Sequence, residues 1–445
     1  MIIDFAIKNF LSFKDEVVFS MLAAKSVKEN ENENDNGSNV FSTNDNTMKI
    51  VKAAAIYGAN GSGKSNLILA FSFFRNMIIN SYRKDDLLND FYHKQFLFDE
   101  SNSQPSGFEM NFIIESTCYR YGFEIFNEKI ESEWLFKQDF GSTKESYCFK
   151  RNENAIQTNS RIFKASKQID SLTRDNALFL TTAALSNVDT AKAIKSWFEH
   201  SINVLSGIGK DNTISYTAKQ YANNKDMHDR IIDFIRIADF GIQDITVEES
   251  FVEKTSDIKN PIIRMLVEND EDESKSPDIK VKQIKINSLH NKYKNGIPSG
   301  TSEISLGNES LGTRKTFALI GPWLDTLMNG KTLIIDEFGA SIHTKLALEL
   351  VRVFQSKLNN GAQLIIATHD TNLLRKDLLR RDQIWFTEKD EFGVSDLYSL
   401  VEYKINQATS VRNDASFSKD YLVGKYGAIP HFGNIEQFIR DYGQE

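Results

Sequence analysis

The sequence predicts an α/β protein with a mostly parallel core sheet, interrupted by an antiparallel β lobe and a mainly helical insertion. Three observations carry this reading. A buried strand, VKAAAIYG from Val51, runs into a glycine-rich turn and then a helix carrying Leu67, Ala70, Phe73, Phe74, Met77 and Ile78. From about residue 310 the order is helix, strand (TLIIDEF), helix, strand (QLIIATHD), helix, strand (QIWFTEK), which implies parallel strands joined by helical crossovers. Between residues 107 and 150, the segments FEMNFIIE, CYRYGFEIF, KIESEWLF and ESYCFKR alternate apolar and polar residues across Gly, Asn and Ser turns, as an antiparallel meander does.

The remaining elements follow in chain order. Ile3, Phe5 and Ile7, then Phe10, Phe13, Val17 and Phe19, have the period of two expected for a short strand pair. Residues 29–46 hold seven Asn with acidic neighbours and almost nothing apolar, and read as a solvated loop. Residues 160–240 switch to helical spacing, as in LFLTTAALSNVDTAKAIKSWFEHSINVL. A strand pair is expected around 243–253 and 279–289, separated by the acidic stretch ENDEDESKSPD. No internal repeat and no long heptad run is present.

Composition narrows the functional classes. Of 445 residues, 40% are hydrophobic and 26% charged, enough for a sizeable core. A net charge of −8 argues against a generally basic nucleic-acid coat. The two cysteines, Cys118 and Cys148, offer neither a disulfide framework nor zinc-ligand spacing. No apolar run is long enough to span a bilayer, and the start, MIIDFAIKNF, lacks the regions of a secretory signal; a cytoplasmic protein without membrane association is expected.

The strongest chemical signal is Gly58-Ala59-Asn60-Gly61-Ser62-Gly63-Lys64-Ser65, a complete G-x-x-x-x-G-K-[ST] match. Backbone N–H groups of such a loop face phosphate oxygens, and the following helix adds the partly positive end of its dipole. Lys64 is expected to reach the β- and γ-phosphates and the Ser65 hydroxyl to ligate Mg²⁺, with Asn66 at the same helix start. The loop reads phosphates only, so it does not by itself separate ATP from GTP; the base is expected near Lys8 to Phe13.

A second signal is Leu333-Ile334-Ile335-Asp336-Glu337, an apolar strand ending in two carboxylates at the edge where parallel sheets bind ligands. Asp336 is assigned to Mg²⁺ and Glu337 to the attacking water as general base. The strand QLIIAT ends at His369 and should neighbour the Asp336 strand, bringing His369 to the γ-phosphate or the water. Ser310-Leu311-Gly312-Thr313 precedes a helix, with Ser310 as its N-cap.

This order of motifs resembles the ABC-type P-loop ATPase heads of SMC, RecF and related DNA-repair proteins. The resemblance implies ATP and Mg²⁺ as ligands, and a homodimer in which Ser310 and Gly312 of one copy cap the γ-phosphate held by the other. Gly339-Ala340-Ser341 is similar to the loop that links the two sites, and Gln95 is a candidate for the Mg²⁺-sensing glutamine, though a lone Gln in FYHKQFLFDE reads first as a surface residue. IKNFLSFKDE, DEFGASIHTKL, DQIWFTEKDEFGVSDLYSL and YLVGKYGAIP are similar to the bacterial abortive-infection ATPases of the RloA and AbiLi type, relatives of the OLD-family heads. His343-Thr344-Lys345 departs from the His-Pro-Lys expected there, which should alter a helix start only.

On this resemblance, residues 1–150 and 301–445 build the ATPase head and 151–300 form the partner-reading insertion. It further implies antiphage defence through a separate effector, a nuclease, because no nuclease motif is found in this chain; the acidic run Glu268 to Glu273 reads as solvated charge. Arg375, Lys376, Arg380 and Arg381 fall on an expected helix and could meet a nucleic-acid backbone, but Asp377 and Asp382 among them favour a solvated face. The rival readings are a DNA-repair ATPase acting directly on DNA and a nucleotide-locked scaffold with little turnover.

Overall fold

A computed structural model describes residues 1–27, 39–43, 45–84, 86–89, 91–99, 104–153, 155–207, 211–238, 240–252, 281–405, 409–410, 416–430 and 440. The acidic run Glu268 to Glu273 and most of the Asn-rich stretch lie outside these residues. Two compact units emerge: residues 1–207 with 325–445, and residues 208–324. Among the described residues, no helix is long and apolar enough to cross a membrane.

The chain begins with β1 (Ile2–Lys8), β2 (Val17–Ser20), β3 (Val40–Ser42), β4 (Lys49–Val51), β5 (Ala53–Gly58) and helix α1 (Lys64–Asn80). There follow β6 (Ser106–Ile114), β7 (Thr117–Phe126), β8 (Lys129–Asp139), β9 (Ser146–Asn152) and β10 (Ala155–Thr158). Next come α2 (Gln168–Leu172), α3 (Phe179–Leu185), α4 (Asp189–His200) and β11 (Ile202–Leu205). The second unit holds α5 (Asp211–Asn223), α6 (Lys225–Ile237), β12 (Ile242–Val252), β13 (Val281–Lys294) and β14 (Ile297–Ser305), and begins α7 (Leu311–Asn329). The rest comprises β15 (Thr332–Phe338), α8 (Thr344–Gln355), β16 (Gln363–Thr368), β17 (Ile384–Lys389), β18 (Ser395–Ser399) and α9 (Phe417–Leu422).

In the first unit, the core sheet has the order β11-β15-β16-β5-β17-β18, parallel except for β18 at its edge. A second, antiparallel sheet runs β10-β9-β8-β7-β6-β1-β2 and contains the expected meander in register order. Helix α1 lies in the apolar core shared by both. Phe71 stacks on Phe5, Phe74 meets Phe123 at 5.3 Å, and Leu67, Ile68 and Met77 are sealed in the same cluster. A helix apolar on nearly every face must be covered on nearly every face, and at about 1.5–3 kcal/mol for each large side chain this burial anchors the unit. The α/β fold with a mostly parallel core sheet and an antiparallel β lobe is the one the sequence predicts.

Several local expectations are corrected. Val40–Ser42, read as loop, is a strand pairing with Lys49–Val51, because Val40 is buried and Asn39 donates to the Leu378 carbonyl and to Gln383 Oε1. Ile202–Leu205, read as the end of a helix, is a parallel strand beside β15. The helices of Gln168–His200, expected in the insertion, belong to the first unit: Phe198 packs edge-on against Phe74 of α1, and Arg75 donates to the Phe198 and Glu199 carbonyls. The helix expected between β16 and β17 is replaced by 3₁₀ turns at Thr371–Leu373 and Arg381–Gln383. There Leu373, Leu374, Leu378 and Leu379 are all buried, which one helical face could not achieve. Two of the basic cluster are paired: Arg380 forms a buried two-point bond with Asp382, and Arg375 an exposed one with Asp377.

The second unit combines α5, α6 and the start of α7 with an antiparallel sheet ordered β12-β13-β14. The expected strand pair is present; β14 is an addition that its sequence, IPSGTSEIS, does not advertise.

Candidate functional site

Strand β5 is buried over its whole length and delivers Gly58 to the loop that opens α1. A Cβ on Gly58 would lie 2.4 Å from the Thr387 carbonyl oxygen, so only glycine lets β5 and β17 approach this closely. Gly63, the residue before α1, has φ 119°, and a Cβ there would sit 2.7 Å from Ser395 Oγ. The loop is braced by residues that no motif marks. Ser62 Oγ lies 2.6 Å from Thr387 Oγ1. Ser395 Oγ lies 2.7 Å from both the Ser62 carbonyl oxygen and Ser12 Oγ, and Asn66 Nδ2 donates to Ser12 Oγ at 2.7 Å. Ser395 Oγ is the donor toward both, so its single proton is shared between the Ser62 carbonyl and Ser12 Oγ.

Lys64 is buried, with Nζ donating to the carbonyls of Gly58 and Ala59 at 2.9 Å. Burial lowers its pKa to about 8, against the opposing pull of the Asp336 carboxylate. Asn60, Gly61 and Ser65 lie on the open side of the turn.

Asp336 and Glu337 lie at the end of β15, which neighbours β16 as the sequence implies; β16 in turn separates it from β5, so His369 just after β16 stands between them. In a regular strand the two carboxylates would face opposite sides of the sheet. Here the pairing with β16 slips between Ile335 and Phe338, and Glu337 takes φ 54° with its N–H bonded to Asp336 Oδ1 at 3.0 Å. This bulge re-aims the pair. Thr368 Oγ1 fixes its far side by donating to the Phe338 carbonyl at 2.7 Å. His369 has its pKa lowered by burial and by the Lys64 charge, while Glu337 and Asp336 pull it the other way. Lys64, Asp336, Glu337 and His369 therefore share one electrostatic neighbourhood, and His369 is neutral near pH 7.

Behind this group, Tyr57 is fully buried, donates to the Asp370 carbonyl at 3.3 Å, and meets Tyr421 of α9 edge-on. Gln95 is buried and not at the surface. His343 caps α8 by accepting from the Lys345 N–H, so the departure from His-Pro-Lys is absorbed at the helix start.

In the second unit, Ser310 is the N-cap of α7: Oγ accepts from Thr313 N–H at 3.1 Å. Gly312 lies in the first turn of that helix.

Two hard oxygen donors, the Ser65 hydroxyl and the Asp336 carboxylate, are the donor type that suits Mg²⁺, and no sulfur competes within the group. Among the described residues, no group of three or more His, Cys, Asp or Glu could hold a metal on its own. The donor set fits an ion that also takes oxygens from a bound phosphate chain.

A comparison with curated proteins finds no match. Among solved structures, the chain resembles an Smc head bound to the C-terminal winged-helix domain of ScpA, at 13% identity and a TM-score of 0.40, covering 89% of this chain and 97% of that one. It also resembles the SMC head domain from Thermotoga maritima, at 13% identity and a TM-score of 0.37, covering 89% and 98%. Residues 53–375 match the family described as "AAA domain, putative AbiEii toxin, Type IV TA system", and the chain belongs to that family of ATPase domains.

Proposed function

We propose that this protein hydrolyses ATP at the Lys64–Asp336–Glu337–His369 group, and that two copies close head to head on nucleotide to control a separate nuclease effector in bacterial antiphage defence. The observation that carries the catalytic part is the convergence of His369, Lys64 and both carboxylates where the phosphate loop meets the end of β15. The family description, "putative AbiEii toxin, Type IV TA system", supports a setting in a toxin–antitoxin type of defence.

The loop from Gly58 to Ser65, with Asn66, holds the phosphates, and Lys64 places its charge on the β- and γ-oxygens. Glu337 takes a proton from water as that water attacks the γ-phosphorus; the β–γ bridging bond breaks and ADP leaves. His369, kept neutral, donates or accepts a hydrogen bond at the γ-phosphate without adding charge. Ser65 and Asp336 would hold Mg²⁺, which would supply neutralisation of the negative charge on the phosphate oxygens. Ser310 and Gly312 complete the partner's site through the N–H groups at the start of α7.

Mass in solution by light scattering tests this, with and without MgATP. The Glu337→Gln protein should double its mass with MgATP, and adding Ser310→Arg should prevent it. A mass that never changes with nucleotide in either protein overturns the dimer reading.

The lowered pKa of Lys64 adds a pH signature. Bound phosphates would hold the Lys64 proton to higher pH than the uncomplexed loop does, so binding takes up a proton above about pH 8. ATP affinity should therefore fall by up to about tenfold per pH unit above that point, and Lys64→Ala should bind weakly with a flat profile. Titration with a fluorescent nucleotide analogue from about pH 7 to about pH 9.5 reads both curves.

A further inference from the structure

We infer that His290 and Ser288 are positioning residues for Ser310, acting through a three-residue clasp on Glu309. The inference rests on the reading that Ser310 works across a head-to-head dimer. The clasp lies wholly in the second unit. Ser288 and His290 are alternate residues of β13 and so project to the same side of its sheet, opposite Ile304 and Ser302 of β14. Both reach one atom: Ser288 Oγ lies 2.5 Å and His290 Nε2 2.7 Å from Glu309 Oε1. A carboxylate oxygen only accepts, so both groups donate and Nε2 is the protonated nitrogen. Ser288 is fully buried, and the His290 and Glu309 side chains are 23% and 12% exposed.

The sheet does not need this bond. β13 and β14 pair through their backbones; Ser288 Oγ also lies 3.1 Å from the Ile304 carbonyl oxygen, but its shorter contact reaches past the strand to the residue before the cap. The approach to Ser310 is fixed at three successive points. Leu306 is buried, the Glu309 N–H donates to the Leu306 carbonyl at 3.2 Å, and Ser310 Oγ caps Thr313. Between the first point and the last, the Glu309 carboxylate is the one side chain tied to a strand.

Charge gives the clasp its purpose. A serine offered to a triphosphate sits beside a carboxylate, and a carboxylate facing phosphate oxygens is repulsive. Two donors on β13 turn Glu309 away and offset its charge, leaving the hydroxyl and N–H groups of the helix start to meet the anion. The β12–β14 sheet thereby gains a direct mechanical link to Ser310, so whatever moves β13 moves the cap.

The test uses the full chain in a Glu337→Gln background, measuring dimer dissociation in MgATP, nucleotide affinity in dilute monomer, and melting. His290→Ala and Ser288→Ala should each weaken the nucleotide-dependent dimer by about tenfold or more with nucleotide affinity unchanged. His290→Gln, whose amide N–H can stand in for Nε2–H, should recover most of the loss. Full dimerisation of both alanine variants, with Ser310→Arg still monomeric, would discard the clasp and leave the dimer reading standing. Full dimerisation of Ser310→Arg would remove both. A dimer loss that only tracks lowered melting and lowered nucleotide affinity would mark a folding role and overturn the positioning one.

Discussion

Glu337→Gln should lower ATP turnover by about 10²–10⁴-fold while leaving nucleotide affinity within a few-fold of the parent, as removal of the proposed general base would. The amide keeps the shape of the side chain and its place in the bulge, so the phosphate loop and Lys64 are untouched. It loses only the capacity to take a proton from water. His369 shares this electrostatic neighbourhood and has its pKa lowered by burial, so it is the natural comparison. Single-turnover measurements on Glu337→Gln and His369→Ala decide between them: the base is the residue whose loss removes chemistry without removing binding. Near-parental turnover in Glu337→Gln would transfer the role to His369.

Glu133→Ala should cost about 3–5 kcal/mol of stability, the range for stripping one partner from a buried charged network. Glu133 is fully buried on β8 and accepts from the Phe179 and Leu180 N–H groups at 2.6 and 2.9 Å and from the Tyr121 hydroxyl at 2.9 Å. Arg151 Nη1 stands 3.9 Å away and donates to the Ala177 carbonyl. Burial pushes the Glu133 pKa up, while Arg151 and the three donors hold it down. Alanine would strand all of these donors. The consequence reaches the phosphate loop, because Thr181 Oγ1 of α3 donates to the Ile78 carbonyl of α1 and Ser81 Oγ lies 3.1 Å from Thr181 Oγ1. Urea midpoints for Glu133→Ala and Glu133→Gln should rank alanine lowest, with ATP affinity falling in the same order. An unchanged midpoint for alanine would mean that the lobe and α1 are secured some other way.

The parts legible in the sequence are those whose chemistry is local. The glycine loop, the apolar run before Asp336 and the strand ending at His369 each encode an element and its terminus within a few residues, and the pairing of β15 with β16 follows from them. What could not be read was brought in from afar. Ser12 from a turn, and Thr387 and Ser395 from strands distant in the chain, brace the loop, and three hydroxyl residues in unrelated segments give no spacing signal. Tyr421 carries an aromatic ring like many others here, and only the fold sets it against Tyr57. Misreadings have equally physical origins. The segment with leucine pairs at 373–374 and 378–379 reads as a helix in the sequence, but burial of all four leucines and the buried Arg380–Asp382 bond fit turns. SINVL follows a true helix without a break, and only pairing with β15 makes it a strand.

The positive φ of Glu337 has a consequence for how this protein can change over time. A branched or long side chain held in that region carries roughly 1–3 kcal/mol of strain that glycine does not. Glu337→Gly should therefore melt higher than the parent, by as much as that strain allows, while losing the proposed base. A screen that rewards thermal resistance alone would select against the carboxylate, and a lineage released from the need to turn over nucleotide would be expected to lose it early. Keeping glutamate at this bend is affordable only while the reaction is under selection.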